Sequence, residues 1–347
     1  MAGAAPFRCP EAAAAGDQAP FEEMTARRRR VFRSSDRETR AAARRAVGLL
    51  RDRQVLPSTL TRYERALKLF FNFLRREQRP LPVSIPFLDG VFCDFVEECW
   101  LDGHPKGLAY DALCGLKHFL PAVRKNLAAS DRIMRVWSGA ELPQRVLPMP
   151  MLWLYALAAF CRDQGWTDTA VALVLGFTTF TRTGELFGAK TSDLCMSWSR
   201  GSGVWVLPLT KSGQRHGAPE SVTITDPWVA RLVCGFLSRL EPSAPLISTS
   251  PAVQRSRLRD ACRALGIDFG FTWYSLRRGG ATHQLLLTQN LPAICLQGRW
   301  TAVKTARVYL TDAQARLTEL SVGAAHAAQL HALARSYRPN VDGLMYA

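Results

Sequence analysis

Apolar residues return at helical spacing along most of this chain, and one cluster of prolines interrupts them. Between residues 58 and 76, Leu60, Tyr63, Leu67, Leu69, Phe70, Phe73 and Leu74 mark one helix face, with Ser58 or Thr59 available as N-cap. Similar patterns over 88–101, 108–123 and 131–137 predict a compact all-helical body. Pro143, Pro148 and Pro150 then fix φ and remove backbone donors, so helical periodicity stops there. At 347 residues the chain is long enough for two bodies, each with its own core. The reading is a basic arm over 1–55, a helical body over 56–140, a linker over 141–150, a second body over 151–315 and a C-terminal helix and tail over 316–347.

The second body is mixed. Helical patterns over 151–163 and 168–175 are followed by strand signals over 204–209 and 221–225, and Lys211-Ser212-Gly213-Gln214 between them suits a hairpin turn. Further helices are predicted over 227–240, 252–265, 276–288 and 311–335. The expected class is therefore mainly α with a small antiparallel β-sheet.

Charge narrows the partners. Lys and Arg number 45 against 29 Asp and Glu, a formal charge of +16, which attracts polyanions because each neutralised phosphate releases a counterion. Nucleic acid is the first expectation and an anionic membrane surface the second. No run reaches the roughly 18 uncharged apolar residues of a membrane span, and the N-terminus lacks the order of a secretory signal, so an intracellular location is expected, nuclear in a eukaryote. Nine cysteines with no CxxC pair read as reduced thiols rather than a disulfide framework. Arg27 to Arg30, Arg33, Arg37, Arg40, Arg44 and Arg45 make the arm a solvated helix face, an import signal or a contact to DNA backbone, three readings that are mutually compatible.

Four separated segments supply groups suited to a phosphodiester. Thr181-Arg182-Thr183-Gly184-Glu185 sets an arginine at a predicted helix start, with Glu185 able to orient the guanidinium. Tyr274-Ser275-Leu276-Arg277 places a second arginine three residues after a tyrosine, with Ser275 as the expected cap. Two guanidiniums can fork the non-bridging oxygens of a five-coordinate phosphorus, so a metal is unnecessary in principle. Lys211 at a hairpin tip can protonate a departing oxygen, Trp300 can pack against the site and donate through its indole N–H, and Tyr309 is a phenol that positive charge can activate.

These segments, Gly176 to Leu194, Lys211, Tyr274 to Thr282 (YSLRRGGAT) and Gly298 to Tyr309 (GRWTAVKTARVY), resemble the ordered boxes of the tyrosine recombinases over roughly residues 150–315, with a weaker likeness over 56–138. The resemblance implies that Arg182 and Arg277 bind the phosphate, that Lys211 is the hairpin lysine, that Trp300 stands at the family's His or Trp position and that Tyr309 is the nucleophile, with Glu185 behind Arg182. It further implies a helical and a catalytic module that clamp double-stranded DNA, a 3′-phosphotyrosyl intermediate, no cofactor and no small-molecule substrate. A tetramer on DNA, with a monomer possible without it, is expected through C-terminal helices docking on neighbours, with a helix packed on its own chain as the alternative. One departure stands out: Tyr274 occupies the family's usual His position, and a phenol is a poor base.

Alternatives remain at single positions. Tyr309 can be a core tyrosine beside Val308 and Leu310, Tyr274 can be a packing residue, and His283 reads as a helix-surface or core histidine. The other histidines lack metal-ligand spacing, and no compact acidic motif suggests a two-metal nuclease. Three functions follow: site-specific strand exchange for a mobile element or integrated DNA, a weak or inactive DNA-binding descendant, and a relaxing enzyme like the type IB topoisomerases.

Overall fold

A computed structural model describes residues 36–50, 54–80, 82, 84–141, 145–207, 210, 220–307, 309 and 317–344. They divide into two compact units, one within residues 31–145 and one within 146–347.

The first unit is all-helical. Helix α1 (Arg37–Val47) is capped by Asp36, whose carboxylate accepts from the Thr39 N–H at 2.6 Å, and it ends on Arg44 and Arg45, which suit the negative end of the helix dipole. Helix α2 (Pro57–Arg76) starts one residue before the expected Ser58 or Thr59 cap. Pro57 has φ pre-set for a first turn and no N–H to satisfy, so Leu56 holds the cap position without a side-chain bond. Helix α3 (Ile85–Leu101), α4 (Lys106–Phe119) and α5 (Ala128–Ala140) complete the bundle. Its centre is aromatic, with the Phe70 ring 5.3 Å from both Phe92 and Phe95. Helix α5 has no cap of its own. The buried Asp89 carboxylate of α3 accepts instead from the Ala129 and Ser130 N–H groups at 2.9 and 2.8 Å, which joins the two helices through a capping bond.

The second unit is built on two helices buried almost all round, α6 (Met151–Asp163) and α7 (Thr167–Thr178). Short helix α8 (Thr183–Phe187) leads to an antiparallel sheet of β1 (Leu194–Ser197), β2 (Ser202–Leu207) and β3 (Glu220–Ile224) in that spatial order. Sequence reading missed β1, a four-residue strand with too little alternation to signal itself. Leu207 pairs with Glu220, so the hairpin connection is 208–219; Lys211 lies within it, outside the described residues. Helices α9 (Pro227–Leu237), α10 (Pro251–Ala264), α11 (Trp273–Thr288), α12 (Leu291–Gly298) and α13 (Val303–Arg307) follow. The class is mainly α with a small antiparallel sheet.

Two expectations need correction here. Thr272, not Ser275, holds the N-cap position of α11, and Ser275 sits one turn in with its Oγ accepting from the Thr272 N–H at 3.1 Å. Nor is 311–335 one helix. Residues 317–320 are helical, the helix is interrupted at Ser321 to Gly323, and α14 (Ala324–Tyr337), with Gly323 at its N-cap position, packs along α6 of its own chain. Its buried Leu330 and Ala334 belong to the same core as Leu154 and Ala158. For residues 324–337, then, the self-packed alternative is the one the structure shows, because α6 offers an apolar face that this helix covers. Residues 311–316 lie outside the described residues. Among the described residues no helix is long and apolar enough to cross a membrane, and the eight described cysteines are free thiols.

Candidate active site

A close backbone approach places the central arginine. A Cβ on Gly279 would come 2.1 Å from the Met149 carbonyl oxygen, and one on Gly280 would come 1.9 Å from that of Phe177. Both glycines are therefore required where α11 lies against the end of α7 and the chain entering α6. This contact buries the first turns of α11 and leaves Arg277 with 1 % exposure. Its Nη1 donates to the Phe180 carbonyl and its Nη2 to that of Gly298 at 2.6 Å, while Nε has no hydrogen-bond partner. Burial, then the positive charges of Arg182 and Arg299, bring its pKa down to about 10, which still leaves it a cation at neutral pH.

Arg182 follows Phe180, whose φ of 50° turns the chain between α7 and α8. Its backbone N–H and Nη1 donate to the two oxygens of Glu185, at 2.8 and 2.7 Å. The start of α8 is thus occupied by the protein's own carboxylate, where sequence reading expected a place for an outside anion. The Arg182 side chain keeps 29 % exposure, against 5 % for Glu185, so the guanidinium reaches solvent while its orienting partner does not.

Trp300 and Tyr309 close the site from the other side. Gly298 has no Cβ because the Trp300 indole folds back to within 2.2 Å of where one would lie. The Trp300 ring lies 4.7 Å below the Arg277 guanidinium carbon and 4.7 Å from the Tyr309 ring, and its buried Nε1 has no hydrogen-bond partner. The Tyr309 ring is also 5.4 Å from the Arg277 guanidinium carbon. Its hydroxyl accepts a 2.6 Å hydrogen bond from Tyr274, and its carbonyl oxygen accepts from Thr282 at 3.2 Å. Tyr309 is half-buried, with its hydroxyl at the Tyr274 edge rather than in the apolar interior. Burial, then the bond to Tyr309, push the Tyr274 phenol up to about 12, so it keeps its proton through the neutral range.

Arg182, Glu185, Tyr274, Arg277, Trp300 and Tyr309 are thus gathered in one cluster, and Lys211 lies outside the described residues. Arg299 was missed. It caps α12 in the left-handed conformation, φ 55°, which costs a non-glycine residue about 1–2 kcal/mol. Its side chain is 6 % exposed, its Nη2 donates to Glu185 at 2.6 Å and its Nε lies 3.5 Å from a Glu220 oxygen. The only sequence signal was its place beside Trp300 in the Gly298-Arg299-Trp300 run.

No family model and no curated protein matches the chain. Solved structures do. The chain is similar to the XerH site-specific recombinase bound to palindromic difH substrate in a post-cleavage complex, at TM-score 0.53 and 14 % identity over 88 % of each chain. It is also similar to the Tn1549 transposon integrase in complex with transposon right end DNA, at TM-score 0.54 and 13 % identity over 81 % of this chain and 98 % of that one. The same integrase with circular intermediate DNA gives TM-score 0.55 at 14 % identity, with the same coverage. The chain has the fold of the tyrosine recombinases.

Proposed function

We propose that the protein is a site-specific DNA recombinase or integrase that breaks and rejoins strands through a covalent bond to Tyr309, in the service of a mobile element or of DNA integration. The observation that carries this reading is the convergence of three described chain segments: the Tyr309 hydroxyl lies beside Tyr274, its ring beside Arg277 and Trp300, and the Arg182 charge acts on Arg277. Arg182 and Arg277 would hold the non-bridging oxygens and offset the charge that gathers on them during attack.

The Tyr309 oxygen forms a bond to phosphorus as the bond from phosphorus to the 5′ oxygen breaks. The phenol gives up its proton to solvent water, the departing 5′ oxygen takes one from the Lys211 ammonium, and solvent returns a proton to Lys211, so the step balances. Reversal by a 5′-hydroxyl of another strand restores the phosphodiester without a nucleotide cofactor. Tyr274 donates to the Tyr309 oxygen, which supports the developing phenolate. The substrate is double-stranded DNA, in keeping with the DNA held in the similar integrase complexes, and the active assembly is a tetramer on two sites.

The test is incubation of the full chain with a pool of nicked suicide duplexes carrying candidate element ends. The expected result is a DNA adduct on the peptide containing Tyr309 that disappears in Tyr309→Phe while duplex binding persists. Tyr274 supports a second reading, a DNA-binding protein of recombinase fold with little activity, since a phenol titrating near 12 is a poor substitute for an imidazole. Full duplex binding by the wild-type chain with no adduct would decide for it.

A further inference from the structure

We propose that Arg299 is a positioning residue of the phosphate site: by taking one oxygen of Glu185, it leaves Arg182 with net positive charge to offer the phosphate. The proposal rests on reading the cluster around Arg277 as a phosphodiester site.

Three features of Arg299 are hard to explain as packing. The backbone is left-handed at φ 55°, where glycine would be free of strain. The side chain is 6 % exposed, although an arginine at a helix C-terminus ordinarily keeps its head in water. Finally, Nε and Nη1 are buried with no hydrogen-bond partner, so the guanidinium is held by its Nη2 bond to Glu185 and by the charge of Glu220 3.5 Å from Nε.

The charges give that arrangement a purpose. Glu185 gives Oε1 to the Arg182 guanidinium and Oε2 to that of Arg299, at 2.7 and 2.6 Å, and Oε2 also accepts from the Arg182 backbone N–H. Among the described residues, Arg182, Arg277 and Arg299 act on Glu185, and Arg299 also on Glu220, so within this group three guanidiniums against two carboxylates leave one surplus positive charge. Without Arg299 the full charge of Glu185 falls on Arg182 and the group loses that surplus. The contact to Glu220 adds a mechanical role, because Glu220 pairs with Leu207 in the β2–β3 ladder. One side chain thereby links the Arg182 turn, the Trp300 segment and strand β3.

The experiment titrates the full chain with inorganic phosphate by calorimetry at about 0.15 M salt, and the difference between wild type and Arg277→Gln isolates this site from the other basic residues. Arg299→Gln is expected to weaken phosphate binding at the site about tenfold or more. Glu185→Gln combined with Arg299→Gln is expected to regain most of that loss, because the carboxylate that would neutralise Arg182 is gone. A structural role would not produce that rescue. Arg299→Gly relieves the left-handed backbone, and a preserved melting temperature with weakened binding would separate charge from folding. Unchanged binding in Arg299→Gln, or no rescue in the double variant, would overturn the role of Arg299 alone. If the wild-type difference titration shows no phosphate site, the phosphodiester reading falls with it.

Discussion

Tyr274 donates to Tyr309 across 2.6 Å, and burial together with that bond holds its own proton to about pH 12. A group so placed stabilises a phenolate but does not relay protons at neutral pH. Tyr274→Phe is therefore expected to slow adduct formation about 100-fold, the usual cost of one oxyanion donor, and to shift its onset to higher pH in capture rates measured across neutral and alkaline pH. Tyr274→His is expected to raise the rate near neutrality. His283, beside Phe177 on another face of α11, has its pKa brought down to about 4 by burial and by the Arg338 charge. The unfolded chain takes up this proton near the ordinary histidine value of about 6.5, so between there and about 4 it binds more protons than the folded chain. Stability must fall as pH drops through that window, by on the order of 3 kcal/mol, and denaturant melts of wild type and His283→Gln would show the slope flattened in the variant. Arg182, Arg277, Trp300 and Tyr309 could be singled out in the sequence because each stands in a short box with its own local signal. Arg299 could not, since its meaning lies in two carboxylates distant in the chain, Glu185 and Glu220.

Helix α11 shows what an element must do before its side chains can act. Gly279 and Gly280 let it touch the Met149 and Phe177 backbones, and a methyl group at either place meets a carbonyl oxygen that cannot move aside. Gly280→Ala is expected to cost about 3 kcal/mol or more in thermal or denaturant unfolding, whereas Gly235→Ala, where no atom lies within 4 Å, is expected to be near neutral. In the first unit, Asp89→Ala removes the acceptor for the Ala129 and Ser130 N–H groups and should destabilise that unit by about 2 kcal/mol. Burial raises and hydrogen bonds from Ser130 and Ala129 lower the Asp89 pKa, the latter prevailing, so this contribution is present above the ordinary Asp range and disappears as pH falls below it. Helix positions were legible in the sequence because apolar spacing reports the buried face directly. Their starts were less so, since the choice of Leu56 over Ser58 and of Thr272 over Ser275 as cap depends on the incoming chain. Strand β1 was invisible because four residues that pair only with β2 carry little pattern of their own.

Across the whole molecule the formal charge of +16 sets how binding should depend on salt. If about six phosphates are neutralised, duplex affinity is expected to fall about 10³-fold between roughly 50 and 200 mM salt, measured by anisotropy with the Tyr309→Phe chain so that no adduct forms. A shallow slope would indicate that the arginines face protein rather than DNA. The packing of α14 on α6 bears on how such a molecule can be dissected. Because Leu330 and Ala334 share a core with Leu154 and Ala158, clipping the chain ahead of residue 324 would strip the cover from a central helix as well as remove any contact with a neighbouring copy. A shortened protein that clumps or fails to express would then report an uncovered α6, and point changes at the exposed Leu317 and Leu320 are the cleaner way to ask how copies meet.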